Sequence, residues 1–248
     1  MSKVILVTGA GRGIGAAIAR AAGKTGYRVV VNYAQSREAA EGVVKDITGA
    51  GGEAIAIQGD VAKEADIVRL FAAIDAKWGP LDALINNAGI IGPFGRVDAL
   101  TAAPLAELLA INVTGAFLCA REAVKRMSTA HGGTGGAIVN ISSAATTLGA
   151  PGEFVSYAAS KGAINTMTIG LAKEVAREGI RVNAVEPGLI ETDIHGPAGG
   201  QARLERLGPT VPMGRVAPPE EISGPVLFLL SEAASYITGA ILRVTGGR

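Results

Sequence analysis

Tyr157 and Lys161 stand four residues apart in the run Ser156-Tyr157-Ala158-Ala159-Ser160-Lys161-Gly162. On a helix this spacing sets both side chains on one face, one turn apart. An ammonium beside a phenol favours the phenolate, so the pair predicts a Tyr pKa moved from about 10 toward neutrality. Such a hydroxyl gives a proton to a carbonyl oxygen, or takes one from an alcohol, near neutral pH. Tyr-x-x-x-Lys also arises often by chance, and its usual meaning is an exposed helix face. Its significance rests on what surrounds it.

The elements that would position the pair begin at the N-terminus. Lys3 to Thr8 is a continuous apolar run, the pattern of a strand buried on both faces of a parallel sheet. It enters Thr8-Gly9-Ala10-Gly11-Arg12-Gly13-Ile14-Gly15 and then Ala16 to Gly26, which is helical in composition. Strand, glycine turn and helix together aim free backbone N–H groups and a positive helix end at a pyrophosphate. The glycines allow the backbone to approach phosphate and strand closely. The next strand, Arg28 to Tyr33, leads into Ala34-Gln35-Ser36-Arg37, with no carboxylate before Glu38. An NAD site normally carries an acid there to bind the ribose hydroxyls. Its absence, with Arg12, Ser36 and Arg37 as donors to a 2′-phosphate, favours NADP(H) over NAD(H). The alternative for Arg37 is a solvated residue in the first turn of a helix.

A helix is expected over Glu38 to Gly49 and a third strand over Glu53 to Gln58, ending at Asp60-Val61. Asp60 is placed to accept from an adenine amino group or to cap the helix that begins near Glu64. Leu81 to Ile85 is a fourth strand followed by Asn86-Asn87-Ala88-Gly89, whose Asn side chains would tie neighbouring strands together. The longest helical pattern, Leu105 to Met127, contains Asn112, unfavourable in a helix unless it has a partner. A fifth strand, Ala137 to Ile141, delivers Ser142 and Ser143. The Tyr157 helix runs to about Glu178, and a sixth strand, Arg181 to Val185, ends in Glu186-Pro187-Gly188. Glu191 to Pro219 is rich in Pro and Gly and reads as a mobile covering loop. A helix over Glu220 to Leu230 and a strand over Ile241 to Val244 close the chain.

Composition limits the alternatives. The chain has 248 residues, 48% of them hydrophobic, enough for one α/β domain with a large core. The formal charge of +1, with dispersed basic residues, indicates neither a nucleic-acid footprint nor a membrane-surface patch. The single cysteine, Cys119, excludes an internal disulfide and reads as a buried hydrophobe. His131 and His195, the only histidines, fall in Gly-rich segments as solvated loop residues, so no metal site is indicated. The glycine turn lacks the Gly-Lys-Ser/Thr of a phosphate-binding NTPase. The first strand starts at once, with no signal-peptide pattern, and a soluble, cytoplasmic protein is expected.

With the glycine turn, Asn86-Asn87-Ala88-Gly89, Asn112, Ser143, Tyr157-x-x-x-Lys161 and Pro187-Gly188 in this order, the chain resembles the short-chain dehydrogenase/reductase family over essentially its full length. The resemblance implies a single doubly wound Rossmann domain, strand order 3-2-1-4-5-6-7, usually assembled as a homotetramer. One interface would use the Asn112 and Tyr157 helices, the other the C-terminal helix and strand. It implies that Tyr157 is the general acid/base and that Lys161 lowers its pKa and holds the nicotinamide ribose. Ser143 would bond the substrate oxygen, and Asn112 would hold a water linking Lys161 to solvent. Gly9, Arg12, Ile14 and Gly15 would face the cofactor phosphates and ribose, Asp60 and Val61 the adenine, Asn87, Ala88 and Gly89 the cofactor ribose, and Pro187, Gly188, Ile190 and Thr192 the nicotinamide.

Ser142 competes with Ser143 because both spacings to Tyr157 occur; Ser143 is preferred. Glu186 is a carboxylate where small or neutral residues are more frequent, either paired with a nearby cation or reaching the substrate pocket; pairing is preferred. The expected activity is hydride transfer between NADP(H) and a carbonyl or secondary alcohol. The rival of a different class is a catalytically silent NADP(H)-binding sensor or scaffold. A pocket lined near Phe94, Leu148, Phe154 and Ile194 would be fairly apolar, suiting a ketone, acyl thioester, sugar or quinone. Glu153 would either bond a hydroxylated substrate or, the preferred reading, sit as an exposed loop acid.

Overall fold

Runs of β-branched residues bounded by glycines form seven parallel strands, ordered β3-β2-β1-β4-β5-β6-β7, the order that the family resemblance implies. The computed structural model describes residues 2–193, 196 and 200–248. Ile194 and His195 lie outside the described residues. The strands are β1 (Val4–Val7), β2 (Arg28–Tyr33), β3 (Glu53–Gln58), β4 (Ala83–Asn86), β5 (Gly136–Ile141), β6 (Ile180–Pro187) and β7 (Ile241–Val244). Register brings Val30, Leu6, Leu84, Ile138 and Val182 into one row across the sheet. Val31, Val7, Ile85 and Val139 form the row on the opposite face.

Because side chains alternate along a strand, each row belongs to a different core. The first row packs against α3 (Glu64–Trp78), α5 (Gly115–Met127) and α7 (Val155–Val175) through residues such as Phe71, Met127 and Met167. The second packs against α1 (Gly13–Lys24), α2 (Arg37–Gly49) and α9 (Glu220–Leu230) through Ile18, Ile47 and Val226. Helices on both faces explain why the central strands read as unbroken apolar runs. The sheet reverses its strand order between β1 and β4, and a crevice at their carboxyl ends is where such folds take ligands.

Two sequence expectations need revision. The Leu105 to Met127 pattern is not one regular helix: α4 (Ala102–Leu109) passes into a π turn, Ala110–Thr114, and then into α5. Asn112 sits within the π turn, where the widened backbone suits a residue that hydrogen-bonds sideways. Ala102–Met127 is also the one run among the described residues long and apolar enough to cross a membrane by length and composition. Its inner face, with Cys119, Ala123 and Met127, packs on the sheet, while Leu109 and Phe117 are exposed.

The second revision concerns 191–219. This segment holds a helix, α8 (Gly200–Leu207), and Ile190 pairs with Ala217 in a single parallel bridge. The signal was Leu204 and Leu207, three apart, which meet Leu189, Val211 and Val216 in a small satellite core. Two leucines in so polar a stretch give little periodicity, and their apolar partners lie outside the helix.

Candidate active site

The glycine turn lies against the tip of β4. Gly9 has φ +61, and a Cβ there would meet Ala88 Cα at 2.9 Å. A Cβ on Gly15 would fall 2.4 Å from Asn87 Nδ2. Asn87 closes the turn by donating to the Thr8 carbonyl at 2.8 Å and the Gly9 carbonyl at 3.1 Å. Thr8 Oγ1 in return accepts the N–H groups of Asn87 and Ala88, both at 3.0 Å. Asn32, which the sequence reading left inside β2, is a further brace. Its Oδ1 accepts from Gly9 N–H at 3.3 Å and its Nδ2 donates to the Gly59 carbonyl at 2.9 Å. Alternation in β2 would have flagged it, since Asn32 is the polar residue in a buried run.

This cradle fits a dinucleotide. No side chain caps the first turn of α1 at Arg12, so its N–H groups and the positive helix end face the crevice. Arg12 is exposed and Ile14 half-buried there; Thr192 approaches from β6, its Cγ2 3.3 Å from where a Gly13 Cβ would stand. Ser36 begins α2 exposed, without a side-chain cap bond, and Arg37 pairs with Glu41 at 3.2 Å as a solvated first-turn residue. Asp60 Oδ1 accepts from Ala62 N–H at 3.0 Å, an Asx turn leading toward α3 rather than a cap on it. Val61 is buried against Gly115, whose Cβ would meet the Val61 carbonyl at 2.6 Å. At the other end Gly188 packs on Thr245, Pro187 accepts from Ala144 N–H at 2.9 Å, and Ile190 is buried.

Tyr157, Lys161, Ser143 and Asn112 are brought together. Ser143, at the β5 carboxyl end, stands beside the Tyr157 phenol and favours its ionised form, and its Oγ accepts from Ala145 N–H at 3.1 Å. Ser142 turns the other way and donates to the Lys161 carbonyl at 3.2 Å. Geometry therefore separates the two serines. Lys161 Nζ donates to the Ile141 carbonyl at 2.8 Å and stands 5.7 Å from the Tyr157 ring centroid. Gly89 borders both Lys161 and Asn112, its Cβ position lying 3.5 Å from Nζ and 3.3 Å from Asn112 Oδ1. The Asn112 amide accepts from Ile90 N–H at 2.9 Å and donates to the Ile90 carbonyl at 2.8 Å and to Ser160 Oγ at 3.1 Å. Ser160 continues to the Tyr157 carbonyl at 2.7 Å.

The electrostatics differ from the sequence expectation. Burial raises the Tyr157 phenol above its ordinary value, and Ser143 only partly opposes this. The Lys161 ammonium donates to the Ile141 carbonyl and stands 5.7 Å from the ring centroid, and burial is the largest influence on the phenol. Burial also moves Lys161, from 10.5 down to about 8. At neutral pH the arrangement is a protonated phenol beside a mostly protonated ammonium: a proton source.

Peripheral expectations separate similarly. Glu153 is not a free loop acid: Arg203 of α8 grips it with bonds of 2.7 and 2.6 Å, which holds its carboxyl below the usual range. Arg203 also lies 5.2 Å over the Phe154 ring, and Phe154 meets Phe94 edge-on at 5.2 Å. Glu186 is buried and hydrogen-bonded, with Arg243 as its nearby cation at 3.7 Å. Cys119 is buried, its thiol pushed up to about 12, and His131 is exposed. Among the described residues no cluster suits a metal ion.

A glycine cradle at the sheet's switch point and a Ser-Tyr-Lys face beside it define a Rossmann-type oxidoreductase. Comparison with known proteins makes this specific. A family model described as enoyl-(acyl carrier protein) reductase matches residues 9–248. An uncharacterized oxidoreductase of Escherichia coli K12, YgfF, is 50% identical over 245 residues, 99% of each chain. A 3-oxoacyl-[acyl-carrier-protein] reductase of Synechocystis is 41% identical over 99% of this chain and 96% of its own. A short-chain dehydrogenase/reductase of Serratia marcescens superposes with TM-score 0.89 at 35% identity, covering 99% of this chain and 97% of that one. The chain belongs to the short-chain dehydrogenase/reductase family, whose members typically bind NAD or NADP.

The depressed Lys161 pKa has a measurable consequence. Between about pH 8 and 10.5 the unfolded chain holds the Lys161 proton more tightly than the folded one, so this group's contribution to stability rises with pH across that window. Cys119 and Tyr157, both raised, act in the opposite sense, but they are common to wild type and Lys161→Met. Urea unfolding of the two proteins should therefore give a stability difference that moves in favour of wild type between pH 8 and 10.5. A difference independent of pH would show that Lys161 is not desolvated.

Proposed function

We propose that the chain is an NADP(H)-dependent oxidoreductase that interconverts a carbonyl and a secondary alcohol, on a 3-oxoacyl-type or a sugar or ketone substrate. The observation that carries this reading is the half-buried Tyr157 phenol with Ser143 beside it and Lys161 Nζ 5.7 Å from its ring centroid. Two neighbouring hydroxyls suit a carbonyl oxygen. The nicotinamide, when bound, supplies or takes the hydride at its C4 position. In reduction Ser143 donates to the substrate oxygen as negative charge gathers there, and Tyr157 transfers its proton to that oxygen, completing the alcohol. Lys161 sits where it can hold ribose hydroxyls and return a proton to the Tyr157 phenolate. Both amide hydrogens of Asn112 are engaged, so a relay water would be held by its backbone carbonyl or by the second lone pair of Oδ1.

The name of the Synechocystis relative supports a 3-oxoacyl thioester as the first substrate to try. The preference for NADP(H) is supported by exposed Arg12 in the glycine turn and exposed Ser36 beyond β2, with no carboxylate before Glu38. A homotetramer is supported by Leu109 and Phe117 on α4 and α5 and Ile169 on α7, large apolar residues left exposed on the helices of one expected interface. Exposed Phe228 on α9 and fully exposed Tyr236 support the second interface.

Absorbance at 340 nm, followed with 3-oxoacyl thioesters, quinones, diketones and sugars in both directions, tests the activity. Tyr157→Phe should keep nucleotide affinity and lose at least about 100-fold in turnover; normal turnover in that variant rejects the assignment. In the same assay Arg12→Ala should raise KM for NADPH about tenfold while that for NADH stays nearly constant. An equal effect on both would remove the case for a 2′-phosphate site. Light scattering should give four times the chain mass, falling on Phe117→Glu; a wild-type monomer would refute the assembly.

A further inference from the structure

Glu186 is a carboxylate only 2% exposed, one residue ahead of the Pro187-Gly188 edge of the site. Its Oε1 accepts from Thr146 Oγ1 at 2.5 Å and from Asn165 Nδ2 at 2.7 Å. These donors belong to two elements that must stay in register for the proposed chemistry. Thr146 lies in the short helix α6 (Ala145–Leu148) that follows Ser143; its N–H donates to the Ser143 carbonyl at 3.2 Å, and its single hydroxyl hydrogen goes to the Glu186 carboxylate in preference to that carbonyl, which stands 3.0 Å from Oγ1. Asn165 lies on α7, one turn beyond Lys161 and two beyond Tyr157, on the face they share.

We propose that Glu186 is a positioning residue, a strut from β6 that fixes the Ser143 turn relative to the Tyr157 helix; the inference rests on the reading in which these two hydroxyls act on one carbonyl oxygen. The next residue, Pro187, holds the same turn from the other side by accepting Ala144 N–H at 2.9 Å. The Asn165 Oδ1 is buried with no partner, so the orientation of this amide depends on its bond to Glu186. Charge balance argues against a role in stability alone. Among the described residues the one cation paired with the carboxylate is Arg243, at 3.7 Å with its side chain 46% exposed, and it also donates to the Arg248 carbonyl at 2.7 Å. A buried carboxylate so weakly paired is costly, and an apolar side chain of similar volume would usually serve the fold as well. What an apolar residue could not do is accept from two elements at one oxygen.

The test uses NADPH oxidation with the best carbonyl substrate of the panel, on wild type, Glu186→Ala, Glu186→Gln, Thr146→Val and the double variant Thr146→Val/Glu186→Ala. Thermal unfolding and NADPH affinity by fluorescence are measured on each. Misplacement by a fraction of an ångström should lower kcat of Glu186→Ala by about 10- to 100-fold, with KM for the carbonyl within about threefold and NADPH affinity unchanged. Glu186→Gln keeps both donors on Oε1 and should recover kcat to within a few-fold of wild type. Thr146→Val should be slowed as well, and the double variant should be no slower than Glu186→Ala, because both changes cut one tie. Wild-type kcat in Glu186→Ala, a change in KM alone, additive losses, or a Gln variant as slow as Ala would each overturn the proposal. Should Glu186→Ala fail to fold, Thr146→Val decides: wild-type kcat there overturns it. Tyr157→Phe is run alongside, since turnover surviving in that variant sinks the proposed function, whereas its loss with normal Glu186→Ala sinks only the strut.

Discussion

Everything at the site depends on how a parallel sheet closes its carboxyl edge. Where strands end, backbone carbonyls and N–H groups lose their ladder partners, and burial makes each unpaired group costly. Here short polar side chains complete the ladder. Thr8 and Asn87 exchange bonds between β1 and β4, Asn32 links the glycine turn to the β3 tip, and Asn86 and Asn140 join β4 to β5 at 3.0 Å. Asn140 continues to Thr168 of α7 at 2.8 Å. The cradle is thus preorganised by the same bonds that satisfy the strand ends.

Lys161 belongs to this edge as much as to the chemistry. Its ammonium finishes β5 by donating to the Ile141 carbonyl, which keeps it buried beside the Tyr157 ring. Burial then outweighs proximity in setting both titrations. The phenol goes up and the ammonium comes down, which suits proton donation in the reductive direction. Spacing alone suggested the opposite shift for Tyr157, because a four-residue interval fixes which face two side chains share and not where their polar ends point.

The α8 segment illustrates the same division. Its arginine completes a stack, Arg203 over Phe154 and Phe154 against Phe94, and clamps Glu153 ahead of the Tyr157 helix. Nothing local to Arg203 or Glu153 announces the pairing, since they are fifty residues apart and each sits in a polar stretch. Glu186 is comparable: its type is visible in the sequence, while its donors Thr146 and Asn165 come from elements distant in the chain.

The buried faces of the sheet and the strand, glycine turn and helix of the cradle were legible in the sequence, whereas strand order and the grouping of Asn112, Ser143, Tyr157 and Lys161 were implied by the family resemblance. The first two rest on local pattern, apolar runs bounded by glycine and a turn needing φ above zero, and only the Tyr157 and Lys161 pair rests on a helical interval. Tertiary structure alone decided that Ser142 turns to the Lys161 carbonyl, that Asp60 makes an Asx turn, that Asn112 lies in a π turn, and that residues 200–207 form a helix whose Arg203 holds Glu153. Those outcomes depend on distant partners and on how much water is removed from a charge, and neither is written in the spacing of residues along the chain.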